Sequence, residues 1–365
     1  MEDTIFVSIA SFRDSDCKNT LKSLFQNATH KERVFVGTCE QNHPDKTEEM
    51  CELGTPEGSG ADIPPHHVRR MVLHDKDARG PTFARYLCTT LWQGEKYFLQ
   101  LDSHMRLVPG WDEKVVSMLK NVQQRRGKSK IVLSTYVNGV ESYDGYLKGD
   151  EEIRKRSPRM CQAFFNQQGM VSFHGANILD NTPEPFEVPF VAGGFIFCEA
   201  ADFMREVPQD PYLDDVFVGE EILLSARLWT SGFDIFTPNE NIAFHKFTRE
   251  GEPKFWENER DDDQGSQRVR YLLGLDTKKP QVAKKYLDRF GMGKERTLDE
   301  FWAFAGIDPK NKKVTKNFCG GPLIPEPHDG WRPSLKRKKG IFTIVILLLF
   351  AVLLLAAAGA YIRTR

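Results

Sequence analysis

The sequence lacks the short glycine motifs that hold phosphates in two large enzyme classes. No G-x-G-x-x-G follows the first predicted strand, and no G-x-x-x-x-G-K-[S/T] occurs among the 365 residues. The first absence removes the fingerprint of dinucleotide-binding domains, and the second removes the P-loop. The sequence therefore gives little support to a dehydrogenase or a P-loop kinase.

Cysteines are few and scattered. There are seven, at positions 17, 39, 51, 88, 161, 198 and 319, and no two of them form a C-x-x-C pair. This pattern argues against structural zinc and against a disulfide framework, and it suits a reducing compartment. The N-terminus also lacks the basic and apolar regions of a signal peptide, because the apolar run 5–10 is too short.

Excess positive charge is absent from most of the chain. Residues 336–365 hold six of the 50 Lys and Arg residues and none of the 51 Asp and Glu residues, so residues 1–335 carry a net charge of −7. Nucleic-acid-binding domains are usually strongly basic. We therefore expect no nucleic acid among the partners.

One long apolar run stands at the C-terminus. Residues 341–362 contain no charged side chain, and as a helix they would be about 33 Å long, enough to cross a bilayer core. Basic residues at 336–339 precede the run, which favours a cytosolic catalytic domain by the positive-inside rule. We expect a single-pass tail anchor. The alternative is a buried helix of a soluble domain, in which so long a charge-free run is rare.

Predicted strands alternate with predicted helices in the first hundred residues. The apolar runs are 5–10, 34–37, 68–73 and 97–101, with helices expected after Asp16 and from Gly80. This βαβαβ order predicts a doubly wound parallel sheet with a ligand at its carboxyl edge.

Asp102 and His104 come directly after the strand 97–101. Because they are two residues apart, their side chains point the same way on an extended backbone and can share one divalent cation. The alternative is an Asp that caps a turn beside a surface His.

Three later features complete the pattern. The glycine pair Gly193-Gly194 interrupts an apolar run, which indicates a bulge or a close approach by a ligand. Glu220 and Glu221 open a predicted helix, where acids also favour the macrodipole without any functional role. His245 ends the run 242–245 and is either a third metal ligand or a structural histidine.

In this order the pieces resemble the working parts of GT-A glycosyltransferases. The closer resemblance is to the polypeptide α-N-acetylglucosaminyltransferase family, which includes cytoplasmic enzymes acting on hydroxyproline and Golgi enzymes acting on Thr. Polypeptide GalNAc-transferases are more distantly similar, through the Asp-Ser-His and Ala-Gly-Gly stretches. The resemblance covers roughly residues 4–308. It is carried by the segments 5–14, 79–85, 99–106, 191–197, 218–221 and 293–298.

The resemblance implies a GT-A fold, with a mixed, mostly parallel sheet flanked by helices. Together with the apolar C-terminal run, it divides the chain into a catalytic core (1–250), an extension (251–335), a basic flank (336–340) and the membrane anchor (341–362). The chain departs from the family at the anchor, which Golgi members would carry at the N-terminus and soluble members would lack.

The resemblance also implies a reaction: transfer of N-acetylglucosamine from UDP-GlcNAc, with retention at the anomeric carbon, to a hydroxyproline or Ser/Thr hydroxyl of a protein. Asp102, His104 and His245 would bind a divalent metal, and their mixed oxygen and nitrogen atoms suit manganese better than magnesium.

The remaining predicted site residues surround the donor. Ser8, Ala10 and Arg13 would meet the uridine. Arg79 and Arg85 would hold phosphate or orient Asp102, or else be surface helix charges. Gly193 and Gly194 would approach the donor sugar, and Glu220 or Glu221 would bind its hydroxyls or the acceptor.

Two other functions stay open. A metal-dependent nucleotide-sugar hydrolase would share the donor site and lack an acceptor region. A membrane-anchored carbohydrate-binding or scaffold protein would have lost metal ligands or the acidic pair, and the sequence retains both.

Overall fold

The computed structural model describes residues 3–51, 63, 66–175, 177–258, 263–276, 281 and 285–325. Its strands are β1 (Ile5–Phe12), β2 (Val34–Asn42), β3 (Val68–His74), β4 (Tyr97–Asp102), β5 (Met105–Leu107), β6 (Ile131–Ser134), β7 (Asn138–Gly139), β8 (Arg156–Arg159), β9 (Ala163–Phe165), β10 (Val171–Phe173), β11 (Asn177–Asp180), β12 (Phe186–Glu187), β13 (Phe195–Glu199), β14 (Asp234–Thr237), β15 (Ala243–His245), β16 (Ile307–Asp308) and β17 (Lys313–Val314). The helices are α1 (Cys17–Asn27), α2 (Pro81–Thr89), α3 (Trp111–Arg126), α4 (Tyr143–Lys148), α5 (Glu151–Arg154), α6 (Ala200–Glu206), α7 (Glu220–Thr230), α8 (Gln264–Leu272), α9 (Leu287–Phe290) and α10 (Leu298–Ala305).

Eight strands form the central sheet, in the order β12-β14-β6-β13-β4-β1-β2-β3. Six of them lie in parallel pairs with a neighbour. As predicted, β1 pairs with β2 and β4, and β2 with β3, and β14 pairs with β6 in the same sense. The mixed, mostly parallel sheet is thus present.

The parallel order predicted from the first hundred residues is confirmed for β1 to β4 and does not extend to β13. This strand runs antiparallel to both β4 and β6. Gly193 and Gly194 lie in a turn just before β13 rather than inside a strand. Phe195 pairs with Leu101, near the carboxyl end of β4, so the chain runs back from the carboxyl edge toward the amino edge.

Alternating residues of β1 face two separate apolar layers. Val7 belongs to the cluster that includes Leu24 of α1 and Leu119 of α3. Phe6 belongs to the cluster that includes Phe203 of α6 and Leu228 of α7. Side chains alternate across a strand, so these two clusters lie on opposite faces of the sheet, and helices cover both faces. The carboxyl edge of the sheet is therefore the place where a ligand can bind.

The structure contradicts the expectation drawn from the cysteines. Cys17 is bonded to Cys51, with a Cα–Cα distance of 4.9 Å, and Cys161 to Cys319, with a Cα–Cα distance of 5.0 Å. The other three cysteines are free and buried. The partners are 34 and 158 residues apart, so no short spacing motif marks them in the sequence.

Residues Met1–Pro325 form one compact unit by themselves. The boundary at residue 250 stays a prediction. Among the described residues no helix is both long enough and apolar enough to cross a bilayer. The predicted basic flank (336–340) and anchor (341–362) lie outside the described residues.

Candidate active site

Three potential metal ligands meet at the carboxyl edge of the sheet. Asp102 ends β4, His104 follows it in a bend, and His245 ends β15. Strand β15 pairs with β5 so that His245 lies opposite Met105, which places it beside His104. One ligand atom from each of the three side chains lies within 4.8 Å of the others. The structure therefore brings together the three residues predicted to share a cation.

The contacts within this group are compatible with a shared cation. The His245 Nε2 atom lies 3.3 Å from Oδ2 of Asp102, while its buried Nδ1 atom has no hydrogen-bond partner among the described residues. The Asp102 side chain keeps 30% of its exposure, so a ligand can reach it. One carboxylate and two imidazoles form a donor set typical of divalent transition metals.

Asp14 orients His104. This aspartate is fully buried, and its Oδ2 atom accepts a hydrogen bond of 2.7 Å from Nδ1 of His104. The Ser103 hydroxyl donates to the same oxygen, and the Arg249 guanidinium lies 4.0 Å from the other. Burial acts to raise the pKa of Asp14, but these partners outweigh it and hold that pKa well below its usual range. A carboxylate on one ring nitrogen leaves the other nitrogen of a ligating histidine for the metal.

Arg85 links Asp102 to the acidic pair. From helix α2 its guanidinium donates to Oδ1 of Asp102 at 3.1 Å and to Oε1 of Glu220 at 2.6 Å. Thr82 donates to the other Glu220 oxygen at 2.9 Å. Burial alone would lower the pKa of Arg85, yet the charges of Glu220 and Asp102 raise it above its usual range. Arg85 therefore contacts and orients Asp102, which was one of its two predicted roles.

Glu221 makes a different set of contacts. It accepts a hydrogen bond of 2.6 Å from the Tyr136 hydroxyl and one of 2.8 Å from the Gly193 amide. Burial raises its pKa to about 7, although both of these hydrogen bonds lower it. Both glutamates thus have protein partners, and whether either also contacts a sugar stays a prediction.

The glycine pair packs directly against these charged groups. A Cβ atom on Gly193 would lie 2.7 Å from Oε1 of Glu220, and one on Gly194 would lie 2.5 Å from Oδ2 of Asp102. Real Cβ atoms are not found so close to such atoms. A Cβ atom at either position would force these side chains to shift, so the backbone here lies close to protein groups. Its predicted approach to a ligand stays a prediction.

The four other predicted donor-site residues are spread more widely. Ala10 lies at the carboxyl end of β1, opposite Asp102, whereas Ser8 is fully buried inside the sheet. Arg13 adopts a positive φ of 46° and binds Glu49 at 3.0 Å. Arg79 is exposed, with its guanidinium 5.0 Å from the centre of the Phe83 ring. Contact of these four with a nucleotide stays a prediction.

Sequence reasoning missed several residues that hold the site together. Asp14, Thr82, Tyr136 and Arg249 were not among the predicted site residues. Asp14 lies in the segment 5–14 that carries the family resemblance, so that segment was the available signal. For Tyr136 no sequence signal existed, because it reaches Glu221 across 85 positions of the chain.

A model of the family described as glycosyltransferase (GlcNAc) matches residues 4–62 and 61–311. The chain belongs to this glycosyltransferase family. The match confirms the broader prediction, a glycosyltransferase, and the specific similarity to hydroxyproline-modifying enzymes stays a prediction. No curated protein sequence matches the chain.

Solved structures are similar to this glycosyltransferase at low sequence identity. GalNAc-T7 with UDP, GalNAc and Mn2+ aligns at 15% identity with a TM-score of 0.52, over 82% of this chain and 56% of that chain. S. aureus TarS 1-349 in complex with UDP-GlcNAc aligns at 12% identity with a TM-score of 0.47, over 83% of this chain and 70% of that chain. The chain thus spans little more than half of the GalNAc-T7 structure. The likeness to GalNAc-T7 confirms the predicted GT-A-like mixed α/β fold.

Proposed function

We propose that this glycosyltransferase moves N-acetylglucosamine from UDP-GlcNAc to a hydroxyl group of a protein, with a divalent metal, preferably manganese. The observation that carries the proposal is the convergence of Asp102, His104 and His245 at the carboxyl edge. The family match and the UDP, GalNAc and Mn2+ held by the GalNAc-T7 structure support it.

The leaving group explains why such a site is needed. Breaking the bond between the sugar and the diphosphate leaves extra negative charge on the phosphate oxygens, and a bound divalent cation would neutralise that charge as a Lewis acid. Asp102 supplies charge and His104 and His245 supply nitrogen atoms to hold such an ion. Arg85 and Asp14 keep two of these side chains in position.

The contacts of the two glutamates favour transfer without a nucleophile from the protein. Glu220 is bound by Arg85 and Thr82, and Glu221 by Tyr136 and the Gly193 amide. We propose attack on the face from which the diphosphate departs. The acceptor oxygen forms its bond to the anomeric carbon as the carbon–oxygen bond to phosphate breaks. The proton of the acceptor hydroxyl passes to the departing phosphate. This course retains the anomeric configuration.

Turnover of the full chain with UDP-GlcNAc and manganese tests the proposal. We expect UDP release that rises when hydroxyproline or Thr peptides are added, and a labelled sugar on the peptide, with hydroxyproline preferred. Asp102→Asn, which keeps the shape and removes the charge, is the matched inactive control. UDP release that no acceptor alters would favour the hydrolase. Sugar binding without any UDP release would favour the scaffold protein.

We also propose that residues 341–362 anchor the protein in a membrane. Which side the catalytic unit faces is a separate prediction, because the basic flank favours the cytosol while disulfides are typical of oxidising compartments. Asn27-Ala28-Thr29 is a glycosylation sequon that reports on this. A cytosolic unit leaves Asn27 unmodified. A glycosidase-sensitive glycan there would place the unit in the lumen.

A further inference from the structure

Side-chain hydrogen bonds hold the loop before β13, in addition to one backbone hydrogen bond of 3.3 Å from the Phe195 amide to the Ala192 carbonyl. The Val191 amide donates to the Ser225 hydroxyl at 2.9 Å, and the Ala192 amide donates to the Ser134 hydroxyl at 2.8 Å. The Gly193 amide donates to Glu221 at 2.8 Å. Three successive amides therefore depend on side-chain oxygens from α7 and β6 for their position.

The Gly193 peptide is held at its carbonyl as well. Gln100, a buried residue of β4, donates from Nε2 to the Gly193 oxygen at 2.6 Å. Gln100 in turn accepts at Oε1 a hydrogen bond of 2.8 Å from Gln209, which is also buried. The amide and the carbonyl of one residue are thus both fixed by protein side chains.

Tyr136 lies one hydrogen bond further from Gly193, beyond Glu221. Its hydroxyl donates to Oε2 of Glu221, the oxygen that the Gly193 amide does not use. With one donor on each oxygen, the carboxylate plane has a single orientation. We call Gly193, Glu221, Tyr136, Gln100 and Gln209 the Gly193 network.

The network matters because the glycine pair touches the metal-site side chains. A Cβ atom on Gly193 would lie 3.1 Å from Nη1 of Arg85, and one on Gly194 would lie 2.5 Å from Oδ2 of Asp102. The loop backbone therefore lies close to both side chains, and small misplacements at a reacting centre cost rate.

We propose that Tyr136, through Glu221, is a positioning residue that holds the Gly193-Gly194 backbone in the geometry required for sugar transfer. This inference rests on the proposed function for its effect on turnover. Its effect on the loop itself does not depend on the donor or the metal.

Tyr136→Phe tests the inference because it removes one hydroxyl and keeps the ring. Tyr97→Phe is the matched control, since the Tyr97 hydroxyl also donates to a carboxylate, that of Asp3, at 3.2 Å. Tyr97 begins β4, at the opposite end of the strand from Asp102. Both variants therefore lose the same kind of hydrogen bond at different places.

The first measurement is hydrogen–deuterium exchange of the segment 190–197 in the full chain without donor or metal. We expect the amides of this segment to exchange faster in Tyr136→Phe than in the wild type, and at the wild-type rate in Tyr97→Phe.

The second measurement is turnover with UDP-GlcNAc, manganese and peptide. We expect kcat of Tyr136→Phe to fall about 10-fold or more, as for other supporting groups around a metal site. The manganese concentration for half-maximal rate should rise as well, because the loop lies against Asp102, a predicted metal ligand.

Several results would overturn the inference: unchanged exchange in Tyr136→Phe, equal changes in Tyr97→Phe, or faster exchange with wild-type kcat. If the wild-type chain turns over no UDP-GlcNAc, the proposed function fails, and the exchange comparison still decides whether Tyr136 holds the loop.

Discussion

The raised pKa of Glu221 makes a quantitative prediction about folding. Burial raises this pKa from 4.5 to about 7. An acid with a higher pKa in the folded state binds its proton more tightly there, so the folded chain gains relative stability at low pH. The contribution is fully present below pH 4.5 and is lost as the pH rises through about 7.

The size of the effect follows from the shift. A difference of about 2.5 pKa units is worth about 3 kcal/mol, since one unit corresponds to about 1.4 kcal/mol. Between pH 5 and pH 8 the two pKa values give a change of about 2.5 kcal/mol. Glu221→Gln removes the titrating group and keeps an oxygen for the Gly193 amide, so it removes this pH dependence.

Urea unfolding of both proteins at pH 5, 6, 7 and 8 measures the effect. The free energy of unfolding of Glu221→Gln minus that of the wild type should become more positive by about 2.5 kcal/mol over this range. All other titrating groups cancel in the difference. A constant difference would refute the reasoning, because it would mean that the hydrogen bonds from Tyr136 and Gly193 keep Glu221 ionised despite its burial.

Three other changes test the site and the fold. His245→Ala should raise the manganese concentration for half-maximal turnover at least about 10-fold and leave the metal-free melting temperature unchanged; an unchanged manganese titration beside a lowered melting temperature would make His245 structural. Gly194→Ala should lower kcat about 10-fold or more, because its Cβ would lie 2.5 Å from Oδ2 of Asp102. The control Gly175→Ala, which has open space at its Cβ, should match the wild type in the same assay. Replacing Cys161 and Cys319 together by Ser should lower the free energy of unfolding by up to about 5 kcal/mol in the chain-entropy model, measured in urea; equal unfolding midpoints for variant and wild type would contradict the disulfide.

Local patterns in the sequence were enough to predict several parts of the fold. The strands β1 to β4 and the helix α7 follow from apolar runs and their flanking glycines. Asp102 and His104 could be paired because they are neighbours in the chain. The antiparallel direction of β13 could not be predicted, since an apolar run has the same composition in either direction.

Contacts between distant parts of the chain were beyond sequence reasoning unless a family resemblance supplied them. His245 depends on the pairing of β15 with β5, which no local pattern specifies. Asp14 reaches His104 across 90 positions, and Tyr136 reaches Glu221 across 85. Cys17, Cys51 and Cys161 are buried and Cys319 is half-buried, so the disulfide partners share only their proximity in the folded chain.

The disulfide between Cys161 and Cys319 has a consequence for the order of events during synthesis. At about 5–20 residues per second, Cys51 follows Cys17 from the ribosome within about 2–7 seconds, but Cys319 follows Cys161 only after about 8–30 seconds. During that interval Cys39, Cys88 and Cys198 are the unpaired thiols that Cys161 could meet. All three are buried in the folded chain, Cys198 in β13, and their burial before Cys319 emerges would keep a wrong pair from forming. Prompt assembly of the central sheet thus protects the correct pairing of the nascent chain.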